Sequence, residues 1–147
     1  MKLVLNKKLT LNYVIVSTYE AGIELFGFEV KSLREKQGSL DGSRIIIRGG
    51  EAFLIGAYIP PYQPANTDKS YDPYRTRKLL LKKSEIEELY NKEQTKTLTL
   101  CPVSLYLKKN LIKCEVAVCK KKDNKDRRED IKKDIARREL QDDRRQI

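Results

Sequence analysis

The chain predicts a mainly β fold: a small antiparallel barrel with two or three short helices and a charged C-terminal tail. Three observations lead there. Short apolar runs with a period of two recur along residues 1–119, separated by turn residues. No long amphipathic helices alternate with these runs, which argues against a parallel α/β sheet. Apolar content then collapses: Lys120 to Ile147 holds 20 charged side chains and only five apolar ones.

Tyr13–Val16 reads as a strand, and Thr18 is placed to cap a brief helix over Glu20–Leu25. In Phe26–Leu33, Phe26, Phe28 and Val30 alternate along one face, which predicts a second strand. Ile45–Ile47 and Ala52–Ala57 flank Gly49-Gly50, a two-residue hairpin signal. Residues 59–76 form a loop containing Pro60, Pro61, Pro64 and Pro73 and three tyrosines. Ser84-Glu85-Ile86-Glu87 fits a capping box, and Ile86, Leu89 and Tyr90 supply the i, i+3, i+4 stripe of a short helix.

The last hairpin has a register that can be checked. A turn at Lys109-Asn110 sets Leu107 opposite Ile112, Leu105 opposite Cys114, Val103 opposite Val116 and Cys101 opposite Val118, with all eight on one face. Cys101 and Cys114 are then buried, and Cys119, on the other face, is the more accessible thiol. About six strands with one short helix before the final hairpin, at this length, favour an oligonucleotide/oligosaccharide-binding (OB-type) barrel.

The division is a folded body, residues 1–119, and a basic tail, residues 120–147. The tail interleaves 12 Lys/Arg with eight Asp/Glu, and pairs such as Glu129–Lys133 and Asp134–Arg138 have helical spacing. Ile131 and Ile135 share a helix face but Leu140 falls opposite, too little apolar surface to dock on a core. The tail is expected to be disordered when free and helical against a highly charged partner. Net charge is +10, shared as +6 on the body and +4 on the tail, which points to a polyanion. A membrane surface fits less well, because the tail offers no Trp or Phe to insert beneath headgroups. Asn6-Lys7-Lys8 ends the first apolar run too early for a signal peptide. Three cysteines without a C-x-x-C suit reduced thiols in the cytoplasm.

Catalytic signals are missing. Without histidine the chain has no Ser-His or Cys-His pair and lacks the commonest metal ligand. Arg48-Gly49-Gly50 has no phosphate-loop spacing, and three cysteines fall short of a four-ligand zinc site. No carboxylates are marked as a catalytic pair. The expectation is a non-enzymatic binding protein with no cofactor and no metal.

Three segments could carry binding. One is Glu20-Ala21-Gly22 with Glu29-Val30-Lys31-Ser32-Leu33-Arg34, contributing Lys31 and Arg34. The second is Tyr71-Asp72-Pro73-Tyr74-Arg75-Thr76-Arg77-Lys78, followed by Leu79-Leu80-Leu81. Cations Arg75, Arg77 and Lys78 among aromatics suit phosphate contact with base stacking. They suit equally a charged loop whose tyrosines pack on the barrel. The third is the start of the tail, which reads otherwise as a frayed solubilising end.

Together these segments resemble the SmpB family of SsrA- (tmRNA-) binding proteins. The resemblance rests on Glu20-Ala21-Gly22-Ile23 through Glu29–Arg34, then Gly50-Glu51, Ile59-Pro60-Pro61-Tyr62, Asp72-Pro73, Arg75–Leu81, Glu85-Ile86 and Leu105-Tyr106. It continues into Asp126-Arg127-Arg128-Glu129 and spans Asn6 to the end. It implies an OB-type body that binds the tRNA-like domain of tmRNA, and a tail that enters the empty mRNA channel of a stalled ribosome and becomes helical there. The partners it implies are tmRNA, ribosomal RNA of the decoding region and, through tmRNA, elongation factor Tu, with one monomer per RNA. Carried over by motif, Asn6, Glu20 and Leu80 lie on the tmRNA face. Lys122, Asp126, Arg127 and Arg128, also carried over, act in the decoding region; Lys125 stands where the family usually has His or an aromatic and, with Arg137 and Arg138, is a tail cation for ribosomal phosphates. The family usually has His before Asp-Pro, where this chain has Tyr71. Two rival readings are a general single-strand RNA-binding barrel or basic ribosomal protein, and a nuclease using carboxylates and Mg²⁺.

Overall fold

The computed structural model describes residues 1–63, 65 and 69–122. These residues form seven strands and three helices: β1 (Lys2–Leu5), α1 (Leu9–Asn12), β2 (Tyr13–Ile23), α2 (Gly27–Arg34), β3 (Arg44–Arg48), β4 (Glu51–Ile55), β5 (Arg77–Leu80), α3 (Lys83–Glu93), β6 (Leu98–Lys108) and β7 (Leu111–Lys121). All strand pairs are antiparallel, in the order β1-β6-β7-β2-β5-β4-β3. The sheet curls until β3 lies near β6, and α3 packs on both, completing a barrel-like body. Ile45, Ile47, Leu54, Leu79, Leu105, Val116 and Val118 fill its interior with Leu33 from α2 and Leu89 from α3.

Both hairpin turns appear as the sequence predicts. Gly49 and Gly50 take φ of 60° and 74°, and Lys109 and Asn110 take 51° and 65°. Two successive left-handed residues match the twist of the flanking strands. The loop between β4 and β5 and the short helix α3 are also present.

Five expectations are corrected. First, Thr18 caps no helix, because β2 runs unbroken from Tyr13 to Ile23. Its exposed and covered residues alternate, and pairing with β7 along almost its whole length outweighs the local cap signal. Second, Phe26–Leu33 is not a strand: Gly27–Arg34 is helix α2. Phe26, Phe28 and Val30 alternate, but Val30 and Leu33 are also at helical spacing. Third, the cap of α3 is Lys82, two residues before Ser84, and its N–H donates to Glu85 Oε1 at 3.1 Å. Fourth, the final hairpin keeps the expected register from Leu107–Ile112 through Leu105–Cys114 and Ser104–Glu115, then shifts at a bulge between Pro102 and Ser104. Proline has no N–H to give the ladder, so the interruption falls there. Beyond it Cys101 faces Ala117 and Pro102 faces Val116. Leu98 and Leu100 now turn into the main core, while Cys101 and Val103 join a second cluster with Leu9, Ala117 and Cys119 on the opposite side. Fifth, Cys119 is therefore fully buried. β7 also continues to Lys121, two residues past the expected limit of the body.

Candidate nucleic-acid interface

Glu29 organises the region around the two predicted binding segments. As the third residue of α2, its Oε1 accepts a 2.7 Å bond from Phe26 N–H and caps the helix. Although charged, it is wholly buried, because two guanidiniums reach it from 46 and 48 residues away. Arg75 spans both carboxylate oxygens. Arg77 Nε donates to Oε2 at 2.9 Å, and the Tyr71 hydroxyl donates to the same oxygen at 2.8 Å. The remaining Arg77 donors reach the carbonyls of Ala57, Pro73 and Arg75 and the Tyr71 oxygen. Every strong donor of this buried guanidinium thus has a partner, which is what its burial requires.

The electrostatics follow. Burial acts to raise the Glu29 carboxyl, but the bonds from Arg75, Phe26 N–H and Arg77 prevail and hold it below the usual range. Burial, with the bond to Glu29, pushes the Tyr71 phenol up to about 12. One carboxylate against two guanidiniums leaves a surplus positive charge, with Arg75 partly open to solvent.

This arrangement places the predicted RNA-binding residues differently from one another. Arg77 is fully buried, so its expected phosphate contact is corrected to a structural role. Arg75 is about one-quarter exposed and its guanidinium lies 4.1 Å from the centre of the Phe26 ring. Lys31 and Arg34 are exposed on α2, with Lys31 near the ring of Tyr62. Lys78 pairs with Glu51 at 3.2 Å.

Glu20 and Leu80, 60 positions apart in sequence, are brought together. Leu80 pairs with Gly22 across β5 and β2, and a Cβ added at Gly22 would stand 3.2 Å from that of Leu80. Glu20 lies two residues along β2, on the same exposed side. Bonds from Tyr106 and Lys108 lower the Glu20 carboxyl, with Lys108 Nζ at 3.1 Å, so it is ionised on the surface. Asn6 stands apart, at the end of β1, which β6 and β7 separate from β2. Its side-chain amide donates to Pro102 O at 2.9 Å, bridging the bulge. Lys122 lies at the end of the described chain, its N–H bonded to Asn12 O. Lys125, Asp126, Arg127, Arg128, Arg137 and Arg138, and the expected helix of the tail, lie outside the described residues.

Sequence reasoning missed Phe26 as a surface residue. It is half exposed, although its alternation with Phe28 and Val30 suggested a strand face. Among the described residues, no group of three or more Cys, Asp or Glu is placed to hold a metal ion, and no helix is long and apolar enough to cross a membrane.

Known proteins share this sequence and fold. The SsrA-binding protein of Mesoplasma florum is 48% identical over 137 residues, 92% of each chain. That of Persephonella marina is 49% identical over 135 residues, covering 92% of this chain and 88% of the relative. A solved structure described as "tmRNA-SmpB: a journey to the center of the bacterial ribosome" superposes with a TM-score of 0.70 at 37% identity, covering 84% of this chain and 87% of the other. The SmpB protein family matches residues 3–146, which takes in every strand from β2 onward and all three candidate binding segments. The chain belongs to the SmpB family.

Proposed function

We propose that the chain is a non-enzymatic factor of trans-translation, which binds the tRNA-like domain of tmRNA and delivers it to stalled ribosomes for rescue and peptide tagging. The observation that carries this reading is the meeting of Glu20 and Leu80 on one exposed sheet face. Both belong to motifs shared with the family, and only the fold makes them neighbours. An ionised acid on a protein of net charge +10 repels phosphate. Glu20 therefore accepts hydrogen bonds from a base edge or a ribose 2′-OH, which are the features that distinguish a folded RNA from a generic polyanion. Lys31, Arg34 and Arg75 supply the phosphate attraction in this reading. The Glu29 node locks α2 to the segment preceding β5, holding these cations in a fixed relation.

In this reading residues 1–122 hold the RNA. The residues beyond serve the decoding region and mRNA channel, with Lys122, Lys125, Arg127, Arg128, Arg137 and Arg138 facing ribosomal phosphates and Asp126 among them. Elongation factor Tu is engaged only through tmRNA, and the work is done in the cytoplasm. A pull-down of the full chain from its native cytosol, followed by RNA sequencing, tests the proposal. One dominant tmRNA is expected; a broad spread of messenger and ribosomal fragments would favour a general RNA-binding barrel.

A further inference from the structure

Beside the Glu29 node lies a cavity of about 460 Å³ lined by Phe26, Phe28, Ser70, Tyr71, Asp72 and Arg75. Its walls are aromatic. The rings of Phe26 and Phe28 are 5.5 Å apart, and Phe28 meets Tyr71 edge to face at 4.7 Å. Phe26 is half exposed, so one side of its ring is open to a partner. The Arg75 guanidinium stacks on it and is itself held by Glu29 and by the carbonyls of Thr76 and Glu24. The Asp72 carboxylate, bonded to Tyr74 N–H, stands at the rim with acceptor capacity to spare.

We propose that this aromatic corner is a subsite for one unpaired nucleobase of the bound RNA, stacked on Phe26. The inference rests on the RNA-binding function proposed above and adds the residue and the ligand group. A nucleobase is flat and polarisable, and stacks on both phenyl and guanidinium faces. The amino and ring N–H groups of the base can donate to the Asp72 carboxylate, which with Arg75 leaves the lining without net charge. An apolar protein side chain would gain from the rings but would offer that carboxylate no donor. Ordering costs are small, since Arg75 is already fixed and Phe26 has only two side-chain torsions.

The test uses the full chain and the isolated tRNA-like domain of tmRNA substituted with 4-thiouridine. Photocrosslinks should map to the peptides carrying Phe26–Phe28 or Tyr71–Arg75. Phe26→Ala should weaken binding roughly 5- to 150-fold, the range for losing one stacked base. Phe26→Trp should keep the affinity, and Phe26→Leu, apolar but not aromatic, should lose it as Phe26→Ala does. Melting curves matching the parent chain would show that these exposed-site variants fold. If the parent chain binds the RNA and Phe26→Ala or Phe26→Leu binds within about twofold of it, the subsite is wrong and the wider function stands. If the parent chain does not bind this RNA, the proposed function fails, and the subsite with it.

Discussion

Replacing Glu29 with Gln keeps the shape of the side chain and removes its charge. Arg77 would then be a wholly buried guanidinium without a counter-ion, and Arg75 would lose its anchor. Breaking a buried ion pair by removing one partner costs about 3–5 kcal/mol, mostly because the other charge is stranded. The carbonyls of Ala57, Pro73 and Arg75 still accept from Arg77, which puts the expectation near the lower end, about 3 kcal/mol. For a body of this size that is a fall in Tm of roughly 10 °C. Urea unfolding followed by far-UV circular dichroism measures the loss directly. The pH dependence has a definite sign. Glu29 is held below its ordinary value when folded, so it stabilises above the unfolded carboxyl range, about pH 4.3, and that contribution disappears as pH falls through the lower folded value. Glu29→Gln should abolish this acid-dependent component while lowering stability at neutral pH. A variant within about 0.5 kcal/mol of the parent at pH 7 would refute the view that this node locks α2 to the loop before β5.

Three other outcomes follow from the same structure. Cys101 retains slight exposure whereas Cys114 and Cys119 have none, so native thiol labelling should modify Cys101 first and slowly; faster labelling of Cys119 would contradict its burial under α1. Asn6→Ala should cost about 1 kcal/mol in denaturant unfolding, because Pro102 O loses the amide that bridges the bulge; unchanged stability would show that this bond does not hold the bulge. Glu20→Ala should weaken binding to the tRNA-like domain about tenfold without changing Tm, and equal affinity in a filter-binding titration would remove Glu20 from the interface.

The parts of the fold that were legible in sequence are those decided by neighbours in the chain. Gly49-Gly50 and Lys109-Asn110 set hairpins through their own backbone angles, and the stripe of Ile86 and Leu89 set α3. What misled were segments decided at long range. Phe26–Leu33 satisfies both periodicities, and the contact that settles it, buried Glu29 against Arg75 and Arg77, joins residues that look like ordinary surface charges. In sequence Arg77 is one cation among three, whereas in space it is the least exposed. The bulge at Pro102 was signalled by the proline itself, and heeding it would have moved Cys101 and Val103 to the second cluster. For the interface, motif order supplied Glu20 and Leu80, but periodicity had placed Phe26 in a strand and hidden its exposure.

Peptide tagging on ribosomes stalled at the end of a truncated message tests the account most directly. The reaction would contain purified ribosomes, charged tmRNA, elongation factor Tu and this chain, or a version ending at Lys122, which keeps all of β7. The full chain should restore tagging, and the shortened chain should bind the tRNA-like domain yet fail to tag. A full chain that leaves stalled ribosomes untagged while binding other RNAs equally well would contradict the central claim.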